Sequence, residues 1–100
     1  MSYIGFGGAG QQARDVLHIR DLFRLVQWQI RNLSIQKGQI FNVGGGLENT
    51  VSLAELTELC ASITGNSIEI SSSSDNRPGD IPIYVTDNSK IEALSGWKPE

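Results

Sequence analysis

Gly10-Gln11-Gln12-Ala13-Arg14-Asp15-Val16-Leu17-His18-Ile19-Arg20-Asp21 is the stretch on which the fold turns. Residues 13 to 19 read as a short extended segment with β-branched content. Asp21 then reads as a helix cap, because Leu22, Phe23, Leu25, Val26, Ile30 and Leu33 recur at near-helical spacing to about Asn32. Apolar residues cover more than half of that helix, which predicts packing on more than one side. Farther along, Asn76-Arg77-Pro78-Gly79-Asp80 answers to this stretch. Each places an arginine close to an aspartate at the edge of a short apolar run. Two guanidinium forks brought together would close on a diphosphate. The planar fork donates parallel hydrogen bonds to phosphate oxygens and stays charged at any biological pH. A plainer reading makes Arg14 with Asp15, and Arg77 with Asp80, surface ion pairs worth under about 1 kcal/mol each.

Upstream, Gly5-Phe6-Gly7-Gly8-Ala9-Gly10 matches G-x-G-x-x-G, the dinucleotide fingerprint where it joins a strand to a helix. The context is wrong for that role. Only Met1 to Ile4 precede it, shorter than a core strand of about 5–6 residues. No acidic residue stands about 20 positions beyond to hold a ribose. A flexible glycine turn is the expectation. His18, alone in an apolar run, reads as a packed or hydrogen-bonded histidine, since no Ser, Cys or second His is spaced to recruit it.

Downstream, Ile40, Phe41 and Val43 read as a strand closed by Gly44-Gly45-Gly46, one αβ step of a parallel sheet. Further parallel strands to complete that sheet are not evident. Ser52-Leu53-Ala54-Glu55 is a capping box. It opens a helix whose buried stripe would be Leu53, Leu56, Leu59, Cys60 and Ile63, with Gly65 as its stop. Cys60 on that stripe reads as a core thiol. Ile68-Glu69-Ile70 alternates like a half-exposed strand, and Ser71 to Ser74 read as a surface turn. Ile81-Pro82-Ile83-Tyr84-Val85 is an edge strand, because its proline cannot donate to a ladder. Asp87 would cap a last helix with Ile91 and Leu94 inward and Gly96 at its end, after which Trp97-Lys98-Pro99 turns away.

Composition narrows the class. One hundred residues make one small domain or a piece of a larger one. A net charge of −3 argues against general binding of nucleic acid or anionic membrane, either of which needs a basic face. No apolar run approaches the ~18 residues of a spanning helix. The start lacks the basic and apolar regions of a signal peptide. The single cysteine, Cys60, fits a reducing compartment, so the chain reads as cytoplasmic.

The order of these motifs is that of a known family. Gln12-x-Arg14-Asp15-x-x-His18-Ile19-x-Asp21, a helix, Phe41-Asn42-Val43-Gly44-Gly45-Gly46, Ser52-Leu53-x-Glu55-Leu56, Arg77-Pro78-Gly79-Asp80-Ile81, Asp87-Asn88-Ser89-Lys90 and Gly96-Trp97-Lys98-Pro99 follow one another. This resembles the C-terminal part of the extended short-chain dehydrogenase/reductases, the NAD-dependent sugar-nucleotide epimerases and dehydratases. The likeness runs from about Tyr3 to Pro99. The wording of residues 14 to 19 and 41 to 46 is similar to the CDP-tyvelose (CDP-paratose) 2-epimerases.

The resemblance implies a fold class, α/β. The chain would be the C-terminal, nucleotide-sugar-binding segment of a longer Rossmann-type enzyme. It would hold about three helices and short strands, without a complete dinucleotide-binding sheet. Arg14 and Arg77 would bind the diphosphate of a nucleotide sugar, CDP-sugar favoured. Asp80 would contact the ribose or orient Arg77, and Gln12, two residues from Arg14, would line the same pocket. NAD would be held by an N-terminal domain outside these residues. The family's Tyr-x-x-x-Lys pair is not here: Tyr3 is followed four positions on by Gly7, and Tyr84 by Asn88. No catalytic residue is therefore assigned, and this chain alone is not expected to catalyse. For the whole enzyme the implied reaction is epimerisation of a nucleotide sugar for surface polysaccharide. The same segment of a 4,6-dehydratase or 4-epimerase, or a stand-alone binding module, are the alternatives. An exposed face at Phe23, Val26 and Ile30 would make the chain self-associate, and the whole enzyme would be a homo-oligomer.

Overall fold

The computed structural model describes residues 1–100. Its strands are β1 (Ser2–Ile4), β2 (Ala13–Asp15), β3 (Thr50–Ser52), β4 (Ser71–Ser73) and β5 (Ile83–Tyr84). Its α-helices are α1 (Ile19–Arg31), α2 (Leu33–Gln36), α3 (Leu53–Thr64) and α4 (Ser89–Ser95). The chain is thus mixed α/β with short strands. It has four helices where about three were expected, because α2 adds one turn directly after α1.

The chain divides into two compact units, each assembled from two separated segments. The first takes Met1–Arg14 and Val51–Tyr84; the second takes Asp15–Thr50 and Val85–Glu100.

In the first unit β1 and β4 pair in parallel, with Ser2 opposite Ser71 and Ile4 opposite Ser73. The serine run is therefore a strand, not a surface turn, and Ile68-Glu69-Ile70 is not one. Pairing with β1 decided this, since strand formation depends on a partner for the backbone more than on intrinsic preference. β2 and β5 are also parallel, Ala13 facing Ile83 and Arg14 facing Tyr84. In the sheet order β3-β2-β5, β5 lies at an edge, as its neighbour Pro82 requires. Helix α3 begins with the expected capping box: Glu55 N–H donates to the Ser52 hydroxyl, and Ser52 N–H to the Glu55 carboxylate. Those bonds from Ser52 hold the Glu55 carboxyl below its usual range. Gly65 ends the helix at φ 71°. The expected buried stripe is absent, however. Leu53, Leu56, Leu59 and Ile63 are 38–80% exposed, and Cys60 is exposed too. Helical spacing marks an apolar face, but a face is buried only where another surface meets it.

The second unit holds the core. Leu25 of α1, Ile91 of α4 and Trp97 are buried together, and Leu17, Trp28, Phe41 and Val43 pack against them. Trp97 does not turn away: its indole N–H donates to Asp21 O at 2.9 Å. The cap of α1 is His18, not Asp21. The His18 Nδ1 accepts Arg20 N–H, while Asp21 sits in the first turn and binds Arg24 and Glu100 N–H. Phe41 and Val43 serve the core from irregular backbone, so the expected strand over residues 40–43 does not form. No neighbouring strand pairs with it. Helix α4 is capped at Asn88, although the Asp87 carboxylate does accept Ser89 N–H.

Two adjacent glycines in this unit are required by close approach. A Cβ on Gly44 would run into Thr86 and the Asp15 carboxylate, and one on Gly45 into the Val16 backbone. Asp15 itself is an acceptor, not an ion-pair partner. Its Oδ2 takes Gly46 N–H at 3.0 Å and Thr86 N–H at 3.1 Å. Burial pushes its carboxyl up, but these hydrogen bonds outweigh burial and leave it below the ordinary aspartate range. Asn88 makes a second clasp, accepting Gly44 N–H and donating to Gly44 O, each at 3.0 Å.

Candidate diphosphate site

The first unit brings Gln12, Arg14, Arg77 and Asp80 to one cavity of about 230 Å³, completed by Ser2, Ile4 and Leu53. Local structure explains the meeting. Gln12 and Arg14 stand two apart at the entry to β2, and residues two apart on a strand share a face. Arg77-Pro78-Gly79-Asp80 forms a tight turn, with Asp80 N–H donating to Arg77 O at 3.1 Å. Proline before a glycine at φ 77° is the pairing a type II turn demands. The chain then enters β5 beside β2, and the parallel register carries the turn to Arg14.

Arg14 is held on several sides. Its Nη2 donates to Asp80 Oδ1 at 3.1 Å and to Ile81 O at 2.6 Å. Its Nη1 donates to Ala13 O at 2.8 Å and reaches Pro82 O at 3.4 Å. Such bonds fix the plane of the guanidinium. The ion pair expected of Arg14 thus forms with Asp80, not Asp15. Asp80 for its part orients Arg14, not Arg77, which it meets through the backbone turn. Arg77 is exposed and takes no part in the bonds that hold Arg14. Two cations and one anion leave the cavity with an excess of positive charge, which suits an anionic ligand. Arg14 is pre-positioned and Arg77 is free to adjust.

The glycine segment forms a turn that packs against β4. Phe6–Gly8 forms a single 3₁₀ turn leading on to β2, with no helix after it. Gly5 N–H donates to Ser73 O, and Phe6 N–H to the Asn76 carboxamide at 2.9 Å. A Cβ on Gly8 would strike Ser72 and Ser73, so its lack of a side chain serves packing against β4. Asn76 therefore ties this turn to the Arg77 loop, a role that sequence reasoning missed although the residue lay within the quoted motif. Ile4, Leu53 and Ser2 were missed as lining residues as well. Nothing in their spacing marks them, since they reach the cavity only through β1–β4 pairing and the start of α3.

A second cavity, about 380 Å³ in the second unit, is lined by Gly46, Leu47, Val85, Thr86, Asp87, Asn88, Ser89 and Glu92. Its charged groups are acidic, and it does not suit a phosphate.

No protein-family model matches the chain. It is 33% identical over 93 residues to the CDP-paratose 2-epimerase of Salmonella typhi, a match covering 93% of this chain and 27% of that protein. It is 30% identical over 91 residues to the UDP-glucose 4-epimerase of Corynebacterium glutamicum, covering 91% of this chain and 27% of that protein. In fold it superposes on the UDP-glucuronic acid 4-epimerase of Bacillus cereus, solved with UDP-glucuronic acid and NAD. The TM-score is 0.80 at 26% identity, with 97% of this chain and 30% of that one covered. The chain thus spans under a third of the length of the relatives it matches. In sequence and in fold, the chain is similar to nucleotide-sugar epimerases over under a third of their length.

Proposed function

We propose that this chain binds the diphosphate of a nucleoside-diphosphate sugar through Arg14 and Arg77, as the C-terminal, substrate-holding segment of an NAD-dependent epimerase. One observation carries the reading: the four residues singled out from sequence line one cavity that holds two guanidinium groups and a single carboxylate. Arg14, braced by Asp80, supplies a fixed fork. Arg77, on the exposed turn, closes over the second phosphate. Binding energy gathered here, away from the reacting carbon, orients the sugar for reaction.

In such an enzyme NAD, held outside these residues, would supply the redox chemistry of epimerisation. The glycines of residues 5–10 do not fit the dinucleotide, because they turn into a strand and pack on β4. Hydride and proton transfers are accordingly assigned to no residue of this chain; its work is to bind and to orient. CDP-tyvelose 2-epimerase is the favoured activity, supported by the likeness to a CDP-paratose 2-epimerase. With it go a cytoplasmic location, a homo-oligomeric whole enzyme and a place in surface-polysaccharide sugar synthesis. A UDP-sugar 4-epimerase is the second reading, favoured by the likeness to two 4-epimerases.

Calorimetric titration of the 100-residue chain with CDP, UDP, GDP and pyrophosphate tests this. Diphosphates should bind, and Arg14→Ala and Arg77→Ala should each weaken them about tenfold, the loss of one charge-assisted contact. CDP binding ahead of UDP supports the 2-epimerase; the reverse supports the 4-epimerase. Unchanged affinity in both variants removes the arginines from the account.

A further inference from the structure

Gln12 is only 5% exposed, and its two amide atoms are treated differently by the protein. The Nε2 donates to Ile4 O at 2.5 Å. The Oε1 is shielded from solvent and has no hydrogen-bond partner. The amide orientation is set by chemistry: reversing it would place one carbonyl oxygen against another. What the protein leaves wholly unsatisfied on Gln12 is therefore the acceptor, since the amide nitrogen already donates to Ile4 O. A buried acceptor without a donor is a costly thing to keep, and shielding strengthens whatever bond it does make. Gln12 also lines the cavity that holds Arg14 and Arg77, with Ile4 and Leu53 forming an apolar wall beside it. It precedes Arg14 by two residues, about 7 Å along an extended chain. A phosphate held at Arg14 leaves the nucleoside, flat and partly apolar, to lie against that wall.

We infer that Gln12 makes the cavity selective for a nucleoside group that donates a hydrogen bond, a ribose hydroxyl or the exocyclic amine of cytosine. The inference rests on the diphosphate reading above and adds to it a residue that sets specificity. Arg14 and Arg77 recognise what all nucleoside diphosphates share; Gln12 recognises what only some present.

The test is titration of the unaltered chain with CDP, UDP, 2′-deoxy-CDP, 3′-deoxy-CDP and pyrophosphate. Loss of about tenfold on removing one hydroxyl identifies the ribose as the donor, whereas the same loss with UDP alone identifies the amine. Gln12→Met, similar in size and without the acceptor, should shrink that gap to within about twofold. Its far-UV spectrum and melting temperature establish that it still folds. Equal affinity for all four nucleotides overturns the role of Gln12 and leaves the diphosphate site standing. A gap that survives in folded Gln12→Met overturns it as well. No binding of any nucleotide or of pyrophosphate overturns the underlying reading, and this one with it.

Discussion

Replacing Asn88 by alanine isolates one clasp of the second unit. The carboxamide is buried and serves a single glycine twice, accepting Gly44 N–H and donating to Gly44 O. Truncation leaves both groups of that peptide without partners in the interior. Each buried polar group so orphaned costs about 1–3 kcal/mol, so the pair should cost about 2–6 kcal/mol. A chain of this size has a total stability of only about 5–15 kcal/mol, so the loss is a large fraction of it. With about 4–8 °C per kcal/mol for a domain this small, the melting temperature should drop by about 8 °C or more. Urea unfolding followed by far-UV dichroism reads the effect as a lower midpoint at unchanged slope. Asn88→Asp sharpens the test. It keeps an acceptor for Gly44 N–H but sets an oxygen against Gly44 O at neutral pH. That variant should regain stability as acid protonates the new carboxyl and lets it donate. A loss under about 0.5 kcal/mol in Asn88→Ala, the range of ordinary surface changes, would refute the reasoning.

Three further outcomes are expected. Arg14→Ala should lower both stability, by about 1–2 kcal/mol through lost bonds to Ala13, Asp80 and Ile81, and nucleotide affinity. Arg77→Ala should lower affinity alone, and denaturation curves set beside titrations separate the two. Asp15 titrates below its ordinary value of 3.8 in the fold. Its stabilising contribution is therefore complete above about pH 4 and is lost as pH falls through the lower folded value. Unfolding midpoints measured from pH 7 to pH 2 should show that loss, and Asp15→Asn should flatten it. Finally, Phe23, Val26 and Ile30 of α1 are 40–66% exposed. The chain should self-associate with rising concentration, and Phe23→Glu should reduce this; a monomeric sedimentation profile at every concentration would count against it.

Sequence legibility followed the range of each interaction. The capping box at Ser52 and the helix stops at Gly65 and Gly96 were readable because each is settled within a few residues. Gln12, Arg14, Arg77 and Asp80 were named from sequence, and the cavity contains all four. Partner choice within that cluster was not readable. Asp80 reaches Arg14 only because β5 lies parallel to β2, a register no local pattern encodes. The strand in Ser71–Ser73 failed for a related reason: nothing in four serines announces pairing with residues near the start of the chain. The opposite error occurred at Phe41 and on α3. There, strong apolar patterns were read as a strand and a buried stripe, yet no strand pairs with the first and the second stays exposed. Asp87 was read as the cap of the last helix, one residue early, because its carboxylate is the one that accepts a local N–H while the Asn88 side chain is turned to Gly44, 44 positions away.

The interleaving of the two units has a consequence for how the chain is made. Synthesis proceeds from the N-terminus, and domains ordinarily fold as units while the ribosome is still working. Here the first unit lacks its closing strand until Tyr84 has emerged, and the second lacks Ile91 and Trp97 until later still. β1 must wait for a partner about seventy positions later. Such distant pairings form slowly, because loop closure must precede any gain from contact. The growing chain should therefore present helix α1 and its apolar face to the surroundings until those later residues have emerged. With synthesis halted at residue 50, only the shorter segment of the first unit and the longer segment of the second would have been made, and the whole of neither.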